Sequence, residues 1–244
     1  MPKKVVRVES DPESKTSEPA WKPTPEAKQQ ATRLRIIAVV LWLVAIAGEA
    51  FAIFWVLKQS SVNLVVLIVA IVVIGVLSVV GSLLWKRANR ADPASTSDPV
   101  RFFIQNQLGA IIAAIAFLPL IVMILLNQNM DGKQKGIAGG LAVVVLAVAA
   151  FAGASFDSPS VQQYDAETNQ VIQYTGRDLV FWTKAGSVYH LCQDASAVNL
   201  TSKDNTIYSG TVGDAHADGK ERLTLQVDQE LKQCGYATPT PGNS

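Results

Sequence analysis

Four apolar runs constrain this chain more than any other feature. They extend from about residue 36 to 57, 64 to 85, 102 to 126 and 136 to 156. At 1.5 Å rise per residue each makes a helix of roughly 32–37 Å. A hydrocarbon layer about 30 Å thick can be crossed by such a helix with modest tilt. In lipid only a helix or a closed barrel satisfies its own backbone, and the runs lack the apolar–polar alternation of barrel strands. The fold class expected is therefore a mainly α membrane protein, a four-transmembrane-helix bundle. The first run is preceded by about 35 residues and lacks a small-x-small site, so it does not read as a cleaved signal peptide.

Charge sets the expected orientation. Residues 1–35 carry eight Lys/Arg, and the connection at 86–101 adds Lys86, Arg87, Arg90 and Arg101. The other two connections hold only Lys58, Lys133 and Lys135. Cytoplasmic loops collect Lys and Arg, so a cytoplasmic N-terminus places twelve bases inside and three outside. Four crossings then return the C-terminus to the cytoplasm in a cell (plasma) membrane. The Gly132–Lys135 stretch, itself like a cytoplasmic flank, argues mildly the other way. Charged residues make up only 17% of the chain. With a net charge of +1 and no basic face, a nucleic-acid partner is not expected.

The chain divides into a flexible arm (1–24), the membrane domain (25–156), a small α+β domain (157–236) and a disordered tail (237–244). The arm is Pro-, Ser-, Glu- and Lys-rich and too poor in apolar groups to fold alone. Its exception is Trp21, read either as an anchor in the headgroup layer or as a docking residue for a partner subunit. Thr24-Pro25-Glu26 has the form of a helix start. In the small domain, Val171–Tyr174, Leu179–Thr183 and Ser187–Leu191 read as strands, with Lys184–Gly186 a hairpin connection. Thr206–Tyr208 adds a short strand, Asp214–Gly219 a helical turn and Arg222–Gln233 a terminal helix.

Few groups offer chemistry. Cys192 and Cys234 are the only cysteines. In an oxidising space they could pair and close a loop worth about 4 kcal/mol in the chain-entropy model; in the cytoplasm they should stay reduced. His190, Cys192, His216 and Cys234 supply four soft ligands, but at spacings unlike those of common zinc sites. A nucleophilic cysteine with a histidine helper has no mark of activation. Glu49 is the sole ionisable residue within the four runs, and such a group is a functional candidate by default. Its options are protonation, a partner on a neighbouring subunit, or a hydrogen bond to Ser78 or Ser82. A proton relay would want further ionisable groups in the spans.

Small residues recur at helical spacing: Ala45, Gly48 and Ala52; Gly75, Ser78 and Ser82; and Gly136, Gly140, Ala147, Ala150 and Ala154. Such faces let helices approach closely in lipid. The fourth run has more of them than one internal contact needs, so Gly136 and Gly140 are candidates for docking a partner. Trp42, Trp55 and Trp85 fit an aromatic belt, Pro119 a kink, and Gln105–Gln107 an interfacial helix start. Nucleotide-binding loops, zinc-protease motifs and nucleophile elbows are absent. No span holds a histidine to ligate haem. No catalytic, cofactor-binding or metal residue is therefore nominated, and no cofactor is expected.

The stretches Leu83-Leu84-Trp85-Lys86-Arg87-Ala88-Asn89-Arg90 and Arg101-Phe102-Phe103-Ile104-Gln105-Asn106-Gln107-Leu108-Gly109 carry a resemblance. So do Gly132–Gly136, Val188-Tyr189-His190-Leu191-Cys192 and Ser209-Gly210-Thr211. From Trp21 onward the chain resembles an uncharacterised actinobacterial family of membrane proteins with four spans and a C-terminal domain. Proteins of this general kind accompany the cytochrome bcc–cytochrome oxidase supercomplex. The resemblance implies a non-catalytic accessory or scaffolding subunit of that respiratory assembly, with integral membrane partners and the lipid bilayer as its surroundings. Two rival expectations stand beside it: a membrane-anchored sensor with a ligand-binding C-terminal domain, and a small transporter using Glu49.

Overall fold

Capping residues set most of the helix boundaries in the computed structural model, which describes residues 4–7, 21–156, 158–201 and 204–237, with backbone alone for 4–7 and 201. Helix α1, Pro25–Phe51, starts at Thr24, whose Oγ1 accepts the Ala27 N–H at 3.2 Å. It runs straight into a π-helical turn, Ala52–Val56, closed by Leu57 N–H donating to the Ala52 carbonyl at 2.9 Å. Helix α2, Leu64–Ala91, is capped by Asn63, whose Oδ1 accepts from Val65 and Val66. Helix α3, Pro99–Leu126, continues through Pro119. Helix α4, Gly132–Gly153, opens on an Asp131–Gln134 capping box, each side chain accepting from the other's backbone N–H. Four segments are thus long and apolar enough to cross a membrane: Pro25–Val56, Leu64–Ala91, Pro99–Leu126 and Gly132–Gly153.

The described chain forms two compact units. One holds the helices, Ala31–Asn89 with Pro99–Ser158. Its interior is apolar and rich in alanine: Ala45, Ala113, Ala116, Phe117, Leu120 and Ala142 are fully buried. Its outer faces are large and apolar, as with Val65, Leu126 and Phe151, each about 70% exposed, a pattern that suits lipid rather than water. Helices α3 and α4 touch backbone to backbone. A Cβ on Gly109 would lie 2.9 Å from the Gly153 Cα, and one on Gly153 would lie 2.5 Å from the Ala110 nitrogen. Only glycine permits that approach. At the other end of the helices, Asn127 Nδ2 donates to the Leu57 carbonyl (2.7 Å) and Asn129 Nδ2 to the Gln59 carbonyl (3.0 Å).

Two aromatic and amide expectations change in this unit. Trp42 is 3% exposed, lies against Gly81 and donates to the Ser78 carbonyl at 3.4 Å. It is an interior residue, not a belt residue; Trp55 stays exposed. Gln105 and Asn106 are buried rather than interfacial. The Gln105 carbonyl accepts from both Trp85 Nε1 and Asn89 Nδ2 at 2.7 Å, tying α2 to α3.

The second unit draws on three stretches, Met1–Gln30, Arg90–Asp98 and Pro159–Ser244, so far as these are described. Pairs of the long apolar helices separate the three in sequence. Strand β1, Lys4–Arg7, pairs in parallel with β4, Thr206–Gly210, in the register Val5 to Ile207. Residues 4–7 of the expected flexible arm are therefore in a sheet; residues 8–20 and 238–244 lie outside the described chain. Strand β2, Val180–Trp182, pairs antiparallel with β4 on its other edge. Strand β3, Val188–Tyr189, pairs in parallel with β5, Arg222–Leu223, and Phe181 exchanges both backbone hydrogen bonds with His190 across the β2–β3 turn.

Four helical assignments differ from expectation here. Val171–Tyr174 is not a strand but the last turns of helix α5, Val161–Thr175, which Ser160 caps and Gly176 ends with φ +77°. The terminal helix is shorter, α8 at Val227–Cys234, because Arg222–Leu223 has gone into β5. Helix α6, Ser196–Thr201, was not foreseen. Helix α7, Val212–Ala217, starts two residues earlier than the expected turn, on a Thr211–Asp214 capping box.

Candidate functional site

The residue types that most resemble acid–base machinery lie in the small domain. Glu167 sits on the face of α5 that also carries Tyr164 and Val171, one turn apart in each direction, both fully buried. Its Oε2 faces His216 Nε2 of α7 at 2.7 Å and accepts the Tyr189 hydroxyl of β3; its Oε1 accepts Gln163 Nε2 at 2.9 Å. His216 Nδ1 lies 2.8 Å from the Lys220 carbonyl, which can only accept, so that nitrogen is protonated. Burial raises the Glu167 pKa, but the hydrogen bond and charge of His216, with Tyr189 and Gln163, outweigh it and hold the carboxyl below its ordinary value. The Tyr164 ring stacks on the imidazole at 3.9 Å between centroids. Burial, reinforced by the Glu167 charge, pushes both phenols up.

That is a closed knot. Both nitrogens of His216 and both oxygens of Glu167 are engaged, so neither is poised for an outside substrate. A second pair behaves the same way. His190 Nδ1 lies 2.6 Å from Glu230 Oε1, and Glu230 Oε2 accepts the Leu191 N–H at 3.0 Å; both side chains are almost fully buried. Lys220 is buried as well, donating to the Thr183 carbonyl at 2.7 Å and to the Gly186 carbonyl. Burial lowers its pKa, with Asp218 acting against the shift. Asp178 accepts the Val212 N–H at the start of α7, and burial pushes its carboxyl up to about 6. Sequence reasoning missed all of these pairings. The Ser160 cap and Gly176 stop were the available signals for α5, and with them the Tyr164–Glu167–Val171 face.

Cys192 and Cys234 are joined in a disulfide across 42 positions. Their sulfurs are thus unavailable to a metal, and the two imidazoles face different glutamates. No group of three or more His, Cys, Asp or Glu positioned for a metal occurs among the described residues. Trp21 lies on its own domain: its indole meets the Tyr164 ring edge-on at 4.9 Å and covers Gly213, while its backbone N–H donates to Asp165. It is only partly buried there.

In the helical unit Glu49 is 5% exposed. The Leu120 backbone N–H, one residue beyond Pro119, meets one side of its carboxyl group, while Oε1 has no partner. The expected bonds to Ser78 and Ser82 are not made, since both hydroxyls also lack partners. Helix α4 shows two kinds of glycine. Gly139 packs on Leu125 and Ile124 of α3, whereas Gly136 and Gly140 have nothing within 4 Å. No protein-family model matches this chain, and neither does any curated protein or solved structure, so function rests on the geometry alone.

Proposed function

We propose that the chain spans the membrane four times and serves as an accessory or scaffolding subunit, docking α4 against a larger membrane assembly. The observation that carries this reading is the bare face of Gly136 and Gly140, beside the face that Gly139 packs on α3. In lipid an exposed pair of glycines at i and i+4 gives a neighbouring helix close access to backbone, where van der Waals contact drives association. The closed state of both His–Glu pairs fits a structural domain. The resemblance to actinobacterial four-span proteins makes the cytochrome bcc–cytochrome oxidase assembly the partner to test first.

Orientation belongs to the same proposal. Twelve bases on the arm and the 86–101 connection favour a cytoplasmic N-terminus and, through four crossings, a cytoplasmic small domain. The disulfide pulls the other way, because such bonds persist in oxidising spaces. Placing the basic arm outside would oppose the charge bias directly, and the proposal gives that bias the greater weight. Purification in mild detergent tests the function. The chain should leave the membrane with stoichiometric haem-bearing partners, read by haem absorbance, and Gly136→Leu with Gly140→Leu should release it. A chain that runs alone sinks the reading.

A further inference from the structure

Five of the six buried polar side-chain atoms without a partner among the described residues lie in the helical unit: Glu49 Oε1, Ser78 Oγ, Ser82 Oγ, Asn89 Oδ1 and Asn106 Oδ1. Each of these residues is 5% exposed or less. Orphaned buried polar atoms are rare, and each implies a partner beyond the chain's own atoms. Here they fall in order. Ser78, Ser82 and Asn89 share one face of α2 at spacings of four and seven. Ser82 Oγ would lie 2.7 Å from a Cβ on Gly109, which sets it level with the first third of α3, one turn beyond Asn106. Gly75 is level with Phe117, and Gly48 with Ile74. Glu49, beside the Leu120 N–H, therefore sits about one turn beyond Ser78. By helical rise the steps are about 10 Å from Asn89 to Ser82, and about 6 Å each from Ser82 to Ser78 and from Ser78 to the level of Glu49. Buried residues near those levels include the small Ala45, Ala113 and Ala116 and, beside Ser78 and Gly75, the larger Trp42 and Phe117.

We propose that these atoms line a file of buried water that enters at the Asn89–Asn106 end and stops at Glu49, making Glu49 a proton-binding site reached from one side of the membrane. A gap of about 6 Å between two polar groups is the span of one bridging water, and a buried water needs two to four polar partners. Lipid headgroups are too large for positions so closed. Beyond Glu49 the interior is filled by Ile53, Val56, Leu67, Ile71 and Ile124, all 8% exposed or less, with no polar side chain among them. The file is thus blind, and no conduit crosses the bundle. The reaction is Glu49 carboxyl releasing its proton to the adjacent water and regaining it by the same path. No other ionisable residue lies in the four apolar runs; along the chain, Arg35, Lys86, Arg87 and Arg101 stand at the entry end and Lys58 and Asp131 at the other.

Infrared difference spectroscopy of the full chain in phosphatidylglycerol–phosphatidylcholine vesicles tests this. Across a pH series, a protonated-carboxyl band absent from Glu49→Gln and displaced in Glu49→Asp should appear at low pH. It should shift within seconds of transfer to deuterated buffer. Ser78→Ala combined with Ser82→Ala should slow that shift at least ten-fold without altering the helix bands. A carboxyl that does not titrate, a band that exchanges only over hours in the unaltered chain, or equal exchange in the serine variant overturns the proposal.

Discussion

The two units of this molecule treat polar groups in opposite ways. In the small domain the buried ionisable side chains are paired: Glu167 with His216, Tyr189 and Gln163; Glu230 with His190; Lys220 with two carbonyls. In the helical unit five buried polar side chains each leave an atom unpartnered, while the backbones of α3 and α4 touch at Gly109 and Gly153. A small domain buries a smaller share of its surface than a large one, and here satisfied polar knots and a covalent bond add to its packing. A bundle in lipid has no hydrophobic drive between its helices and is held by close contact instead. Damage should therefore come from lost partners in one unit and from added volume in the other.

The largest break should come from the Glu167 knot. His216→Ala takes a donor from the half-buried Glu167 carboxylate, leaves the Lys220 carbonyl without its partner and empties the space beneath the Tyr164 ring, and should destabilise the small domain by about 3–4 kcal/mol. Hydrogen exchange of the full chain in detergent would show this as lost protection in α5 and α7, with the helical unit unchanged. Next, Cys192→Ser should cost about 2–4 kcal/mol, again confined to the small domain. Thiol labelling in intact cells with a membrane-impermeant reagent, with and without reductant, would report the side it faces: a cytoplasmic domain stays unlabelled in both, and an outward-facing bonded pair is labelled only after reduction. Gly153→Ala tests the other unit. Its Cβ would meet α3 backbone rather than a yielding side chain, and overpacking of this kind costs about 1–3 kcal/mol, visible as a lower unfolding temperature of the helices in detergent.

A smaller effect sharpens the contrast through pH. The Asp178 carboxyl titrates near 6, above its ordinary 3.8, so the fold favours its neutral form. Its contribution is complete below the unfolded value and is lost as pH rises through about 6. One pKa unit corresponds to about 1.4 kcal/mol, and partial exposure trims the two-unit shift to about 1–2 kcal/mol. Asp178→Asn keeps the acceptor for Val212 and should flatten that loss, making the domain more stable than the parent at pH 8 and equal to it at pH 4. Exchange rates of the β4–α7 amides would record it. The smallest effect belongs to Gly136→Ala, which meets open space and should leave the isolated chain's stability unchanged within about 0.5 kcal/mol.

The four long helices were legible because the signal was local, a run of apolar residues, with Thr24 before Pro25 marking the first start; the caps at Asn63 and at Asp131 with Gln134 were equally local but went unread. The same locality exposed Glu49 as a candidate, since one carboxylate among more than twenty apolar neighbours stands out in any register. The small domain resisted reading. Val171–Tyr174 is apolar and aromatic over a few residues, a pattern that suits a strand and a helical turn equally, and Arg222–Gln233 mixes both periods because a strand and a helix share it. Its pairings were wholly hidden. His216 and Glu167 are 49 positions apart, and His190 and Glu230 are 40 apart.

By itself, then, the order of residues determined which segments are greasy enough to enter a bilayer and, at Thr24-Pro25, where the first of them begins as a helix, because hydrophobicity and capping act over a few neighbours. Tertiary structure alone decided which polar atoms find partners. It placed Trp42 inside and Trp21 on its own domain, bonded Cys192 to Cys234, and left Glu49, Ser78 and Ser82 apart. A hydrogen bond needs its two atoms within about 3 Å, and only the folded chain sets that distance between residues far apart in sequence.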